Sequence, residues 1–286
     1  GRWTSPKHTI TGEKVFRAMA YRGQERFGLT WRDRELAAGL IRYHGLPAWF
    51  WSKRRPEFDL LKAAESVPMG LLYLLSAADA RGRICREPEK MREHIALFLE
   101  QVRELGIEDG PYPFAGAYTR YQYFHRDSLW QGSDLYDDTE FDVWLMAGLP
   151  LAGKDTWIEE NGEGRPVISL DDIRQQQGIA PGEKSSKVAA IATDRARQFL
   201  RRKEPFIWNA TNIIRETRQK LCGLFSSYKA RVHIMYLEVP YRELLRRNEK
   251  RSRYIPVKVL EQMIDKLEVP APWEGYDVRV SAGKDA

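Results

Sequence analysis

The sequence predicts an all-helical first half followed by an α/β half built on a parallel sheet, and three observations carry that expectation. Up to about residue 135, apolar residues recur at three- and four-residue spacing and no strand-like run stands out. From Phe141 onward, short β-rich runs alternate with longer helical stretches, the pattern of βαβ units. Where the first such run meets the first such helix stands a glycine-rich turn, Gly148-Leu-Pro-Leu-Ala-Gly153-Lys154-Asp155-Thr156.

With 286 residues the chain is too long for one small domain and suits two. Apolar residues at 43% and charged residues at 30% exclude a disordered chain. No apolar run reaches the roughly 18–20 residues of a membrane span, and no signal-peptide pattern opens the chain. The expectation is therefore a cytoplasmic protein with no membrane partner. Cys85 and Cys222 lie far apart and form neither a zinc knuckle nor a disulfide framework, which fits a reducing compartment. The net charge of +6 permits a polyanionic partner without requiring one. Oligomeric state is not written in these features.

In the first half, residues 34–44, 68–79 and 87–105 carry the helical spacing. Residues 126–140 (RDSLWQGSDLYDDTE) are polar and acidic and read as a linker, giving domains at 1–125 and 141–286. The β-runs that follow are 141–147 (FDVWLMA), 166–170 (PVISL), 205–209 (PFIWN) and 232–239 (VHIMYLEV). Helices are expected between them at 155–160, 186–203 and 212–227.

The turn at Gly148 has the context that phosphate binding needs. Glycines let the backbone curl so that its N–H groups face a phosphate at the positive end of a helix, and Lys154 would reach the β/γ-phosphates. The pattern departs from G-x-x-x-x-G-K-[ST] in one place: Asp155 stands where a magnesium-binding hydroxyl is usual, and Thr156 follows one residue later as its substitute. The alternative is a Gly-Pro turn with Lys154 simply solvated. The strand before and helix after favour a nucleoside triphosphate site.

Two further clusters bear on the chemistry. Ser169-Leu-Asp171-Asp172-Ile-Arg174 ends the second β-run, on the side where parallel sheets bind ligands. A carboxylate there could take the proton of an attacking hydroxyl, and Arg174 could hold an anionic substrate. An N-cap for a short helix is an equal alternative for Asp171 or Asp172. Arg246–Arg253 is a basic run on a predicted helix, where Arg247 and Arg251, four apart, share one face. Two guanidinium groups together suit a phosphoryl group in transfer, and a solvated basic face is the plain alternative.

Taken with their order and spacing, GLPLAGKDTW, SLDDIR, WNATN with the downstream Arg218, and RNEKR followed by IPVKVLEQM resemble the P-loop kinase module of polynucleotide 5′-hydroxyl kinases. The resemblance implies a domain over 141–286 that uses ATP and Mg²⁺ and acts on RNA or DNA ends. It implies a nucleotide site of Gly148, Gly153, Lys154, Asp155 and Thr156, with Thr156 a candidate magnesium ligand. Lys154 would contact phosphates, Asp171 would be the general base, Arg174 would contact substrate phosphate, and Arg247 with Arg251 would form a lid over the donor.

In the helical half, His44 ends a predicted helix whose apolar stripe is Leu36, Leu40 and Ile41. Asp79 follows Leu71, Leu72, Leu75 and Ala78 at helical spacing, so it is expected to point inward, where an unpaired carboxylate is costly. With His8, these residues are a possible divalent-metal set. Pairing of Asp79 with Arg81 or Arg83 is the alternative. The segments SPKH, RYHGLP and SAADARGR resemble the later part of an HD phosphohydrolase domain. That resemblance implies a partial all-α HD domain over 1–125, with His8, His44 and Asp79 as ligands of a transition metal such as Mn²⁺. Its namesake His-Asp pair and an earlier His would lie upstream of Gly1: either this is a piece of a longer chain, the favoured expectation since it starts without Met, or the domain has lost part of its metal site.

An HD module joined to a kinase resembles a bacterial end-healing family that removes 2′,3′-phosphates and phosphorylates 5′ ends. Two alternatives share many of these residues: a kinase of a nucleoside or other metabolite, and a non-catalytic nucleic-acid-binding ATPase. The basic aromatic group Trp49, Trp51, Lys53, Arg54 and Arg55 favours a polymer, since such rings can stack on bases.

Overall fold

The computed structural model describes residues 7–84, 87–180, 183–251 and 253–282, so Cys85 lies outside the described residues. The chain divides into two compact units, Gly1–Ala115 with Gln122–Ser133 and Gly116–Tyr121 with Asp134–Ala286.

The first unit is helical: α1 (His8–Arg22), α2 (Gln24–Phe27), α3 (Trp31–Tyr43), α4 (Leu46–Trp49), α5 (Pro56–Ala64), α6 (Met69–Gly82) and α7 (Pro88–Glu104). Thr30 caps α3, its hydroxyl accepting the Asp33 N–H at 3.1 Å while the Asp33 carboxylate reaches back to the Thr30 N–H. An ion network ties α1 to α3. Buried Arg17 bonds Glu13 at 2.9 Å and Glu35 at 2.9 Å, and Arg34 adds a 2.8 Å bond to Glu35. The network also decides which face of α3 turns inward: Arg34, Ala38 and Gly39 are buried, whereas Leu36 and Leu40 are half-buried.

The expected inward stripe of α6 is corrected in the same way. Met69, Leu72, Ser76 and Ala80 are its buried residues, and Leu71, Leu74, Leu75 and Asp79 face out. The helix docks through its small residues because Ala48, Ala80 and Ile95 form the local core with Tyr73, Ala77 and Met91 around them. Asp79 is therefore 44% exposed and pairs with Arg83 at 2.6 Å, one helical turn on. Among the described residues no single helix is long and apolar enough to cross a membrane.

The second unit holds a five-stranded sheet. Its elements continue from α8 (Ala117–His125), whose first residues belong here, through β1 (Phe141–Ala147), α9 (Lys154–Asn161), β2 (Val167–Ser169), α10 (Leu170–Gln176) and α11 (Ser185–Arg202). Then follow β3 (Phe206–Asn209), α12 (Arg215–Ser226), β4 (Ala230–Leu237), α13 (Tyr241–Glu249), α14 (Val257–Asp265) and β5 (Asp277–Ser281). All pairings are parallel and the strand order is β2-β3-β1-β4-β5.

Because β1 is central, the chain leaves it to one side for β2 and β3 and crosses to the other for β4 and β5. The carboxyl end of β1 is thus a switch point, where an open α/β sheet forms its ligand crevice. Met146, Ala152, Ile207, Met235 and Leu237 pack beneath that end, with Trp144, Trp157 and Ile158 against them. Residues just before β1 are anchored too: Tyr276 donates to Asp137 at 2.8 Å, Tyr118 to Asp138 at 2.6 Å, and Lys203 pairs with Glu140 at 2.9 Å.

Candidate nucleotide and phosphoryl-transfer site

The loop from β1 to α9 is held by its backbone. Gly148, at φ +140°, donates its N–H to the Thr211 carbonyl at 2.8 Å. A Cβ there would stand 2.3 Å from the Leu237 carbonyl oxygen, so only glycine fits this close approach of β1 to β4. Leu151 at φ +68° and Gly153 at φ +99° complete the curl, and Gly153 leads directly into α9. The first N–H groups of α9 have no partner within the helix, which makes this end an anion site.

Lys154, the first residue of α9, folds back across the loop and donates to the carbonyls of Gly148 at 3.1 Å and Leu149 at 2.8 Å. Burial of the ammonium lowers its pKa to about 8; Asp155 and Asp171 pull the other way, and Arg251 deepens the shift. Those three neighbours are the ones a phosphoryl-transfer site would gather around its lysine.

Asp171 sits in the first turn of α10, at the carboxyl end of β2. The capping role that the sequence left open for it goes to Ser169, whose hydroxyl accepts the Asp172 N–H at 3.1 Å. Asp171 is thereby left exposed. Arg247 lies across the loop, donating through Nη1 to the Leu151 carbonyl at 3.0 Å and through Nε to Glu243 at 2.7 Å. Arg246 and Arg247 together hold the Glu243 carboxyl down at about 2.

One expectation about the basic run is corrected. Helix α13 stops at Glu249, so Arg251 lies beyond it and does not share a helical face with Arg247. The buried Asn248 side chain causes the stop: it donates to the Ile255 carbonyl at 2.7 Å and accepts the Ile255 N–H at 3.0 Å, turning the chain back. Arg251 still reaches the field of Lys154 from that turn.

Arg174 is less available than the sequence suggests. Its guanidinium donates to the Glu183 carbonyl at 2.9 Å and the Ser185 hydroxyl at 3.1 Å, pinning the entry to α11. Arg218, part of the quoted pattern, is structural: fully buried, it donates to Glu274 at 2.7 and 3.0 Å and to the Asn212 and Glu268 carbonyls. Sequence reasoning assigned no role to Glu243, which orients Arg247, nor to Asn209. The latter ends β3 and donates through Nδ2 to Asp155 at 2.7 Å.

The proposed metal set of the helical unit comes together only in part. His8 and His44 meet edge to face with ring centroids 5.4 Å apart, and His44 Nδ1 bonds the Ile41 carbonyl at 2.9 Å. Asp79 is engaged with Arg83 instead. Among the described residues no group of three or more His, Cys, Asp or Glu side chains is arranged to hold a metal ion.

Residues 143–270 match the AAA_33 family of AAA domains. This part of the chain is similar to P-loop kinase-like domains. The L-seryl-tRNA(Sec) kinase of Methanococcus maripaludis is 23% identical over 141 residues, covering 47% of this chain and 55% of that protein. The chain thus spans about half the length of the curated relative it matches. Among solved structures, a candidate kinase of Chloroflexus aurantiacus is 17% identical with a TM-score of 0.40, covering 51% of this chain and 86% of the other. A sugar kinase of Janibacter is 16% identical, also at 0.40, over 50% and 86%.

A kinase-like P-loop domain implies ATP and Mg²⁺, and the donor set fits both. The loop offers backbone N–H groups and a half-buried lysine for phosphates. Asp155 offers the hard oxygen donor that Mg²⁺ takes alongside nucleotide phosphates.

Proposed function

We propose that the kinase-like domain transfers the γ-phosphate of ATP to the 5′-hydroxyl of an RNA or DNA end. One observation carries this reading: Asp171 and Arg251 both lie within electrostatic reach of Lys154 at the carboxyl edge of the sheet, and Arg247 bonds the loop itself. In this account the loop N–H groups and Lys154 bind the β- and γ-phosphates. Asp171 accepts the proton of the attacking hydroxyl, whose oxygen bonds the γ-phosphorus as the bond to the β–γ bridging oxygen breaks and ADP departs. Lys154, Arg247 and Arg251 offset the charge that spreads over the transferring group. Mg²⁺, when bound, neutralises phosphate charge and orients the donor.

Two features support a polymeric acceptor. The archaeal relative is named as a kinase of an aminoacyl-tRNA. In the helical unit Trp49 and Trp51 are 53% and 46% exposed, beside exposed Lys53 and Arg54, an arrangement suited to stacking on unpaired bases. Arg55 is withdrawn from that group and lies over the Phe58 ring at 4.1 Å. One observation favours the second reading, a metabolite kinase: Arg174, the expected contact for a substrate phosphate, is already bonded to Glu183 and Ser185.

The test is Asp171→Asn beside Lys154→Ala. Asp171→Asn should keep ATP binding and lose about 10²–10⁴-fold in transfer rate, the range for a general base. Lys154→Ala should lose both. Full transfer by Asp171→Asn would remove Asp171 from the role of base.

A further inference from the structure

We infer that Asp155 is the protein's carboxylate ligand for the magnesium of Mg·ATP, with Asn209 as its positioning partner, so that the acid and its neutral companion have exchanged places across the loop. The inference rests on the reading of Gly148–Thr156 as an ATP site. In the common P-loop arrangement a Ser or Thr hydroxyl follows the lysine, and the carboxylate that completes the metal shell comes from a neighbouring strand. Here the residue after Lys154 is the acid Asp155. The residue that closes β3, the strand paired directly with β1, is the neutral Asn209.

The two are in contact. Asn209 Nδ2 donates to Asp155 Oδ1 at 2.7 Å, which fixes one carboxylate oxygen and leaves Oδ2 without a hydrogen bond among the described residues. A neutral amide suits this task, since an acid at the end of β3 would set two carboxylates against each other at hydrogen-bond distance. Net charge around a metal is the same in either arrangement: one carboxylate and one neutral group.

Thr156, the substitute the sequence suggested, is one residue further along α9. It is rotated by about 100° from the position that follows the lysine. Asp155 also sits in the first turn of α9, where a carboxylate is favoured by the helix dipole. Mg²⁺ is commonly held by one or two carboxylates plus nucleotide phosphates, so a single acid at this position is enough.

The experiment measures ATP affinity of the full chain by calorimetry, with Mg²⁺ and with EDTA, for the wild type and for D155A, T156V and the exchange variant D155S/N209D. Thermal unfolding of each variant controls for folding. Mg²⁺ should strengthen ATP binding by the wild type and by T156V. D155A should lose at least about tenfold of that enhancement while keeping its affinity in EDTA, and D155S/N209D should regain most of it. D155A with the full enhancement, or D155S/N209D no better than D155A, would overturn the inference while leaving the nucleotide site standing. A wild type that binds no ATP in either condition would overturn both.

Discussion

Gly148 and Arg218 show how single residues fix the site without touching a substrate. A methyl group at position 148 would meet the Leu237 carbonyl oxygen, and φ +140° is a conformation that side chains resist. Gly148→Ala should therefore force β1 and β4 apart at the loop, lowering both the unfolding temperature and ATP affinity. Arg218 and Glu274 form a fully buried pair, so Arg218→Ala leaves the carboxylate to Arg215, which bonds it at 3.0 Å, and takes the donor from the Asn212 and Glu268 carbonyls. The expected loss is up to about 3–5 kcal/mol of stability, read by chemical denaturation. Nothing in the sequence points to this pair, because its partners are 56 residues apart and Glu274 lies in the short turn that precedes β5. The same holds for Asn209 and Asp155, which are 54 apart.

Elements were legible where their own pattern decides them. The runs read from the sequence at 141–147 and 205–209 correspond to β1 and β3, which are largely buried, and the long amphipathic stretch at 186–203 to α11. Strand β5 was not legible: it is five residues long, lies at the sheet edge and carries alternating charges, so it has no apolar run to reveal it. On α6 the misreading has a different cause. Periodicity reports a face, but Leu71, Leu74 and Leu75 are exposed while Ser76 and Ala80 are buried, and only tertiary packing chooses between them. The exposed tryptophans at the end of α4 and just beyond it give a prediction of their own. Phe50 between them is buried and holds the turn, so Trp49→Ala with Trp51→Ala should leave the fold intact. The double variant should bind a single-stranded oligonucleotide at least about tenfold more weakly, as stacking contributes roughly 1–3 kcal/mol per base. Fluorescence anisotropy checks it, and unchanged affinity would take these rings out of the binding surface.

For the molecule as a whole, the placement of the chemistry follows from topology. A parallel sheet in the order β2-β3-β1-β4-β5 brings the loop after β1, the acid after β2 and the amide ending β3 to one edge. The basic sequence, with a pI near 9.2, predicts that affinity for an oligonucleotide falls steeply as salt rises, whereas affinity for an uncharged metabolite would barely change. The most direct measurement of the central claim is transfer of labelled γ-phosphate from ATP to oligonucleotides with 5′-hydroxyl ends. RNA and DNA would run beside a panel of small hydroxyl compounds, with the labelled position mapped. The account predicts label on the 5′ end of the polymer, lost in Lys154→Ala. Label on a small compound alone, or ATP consumed with no phosphorylated product, would contradict it.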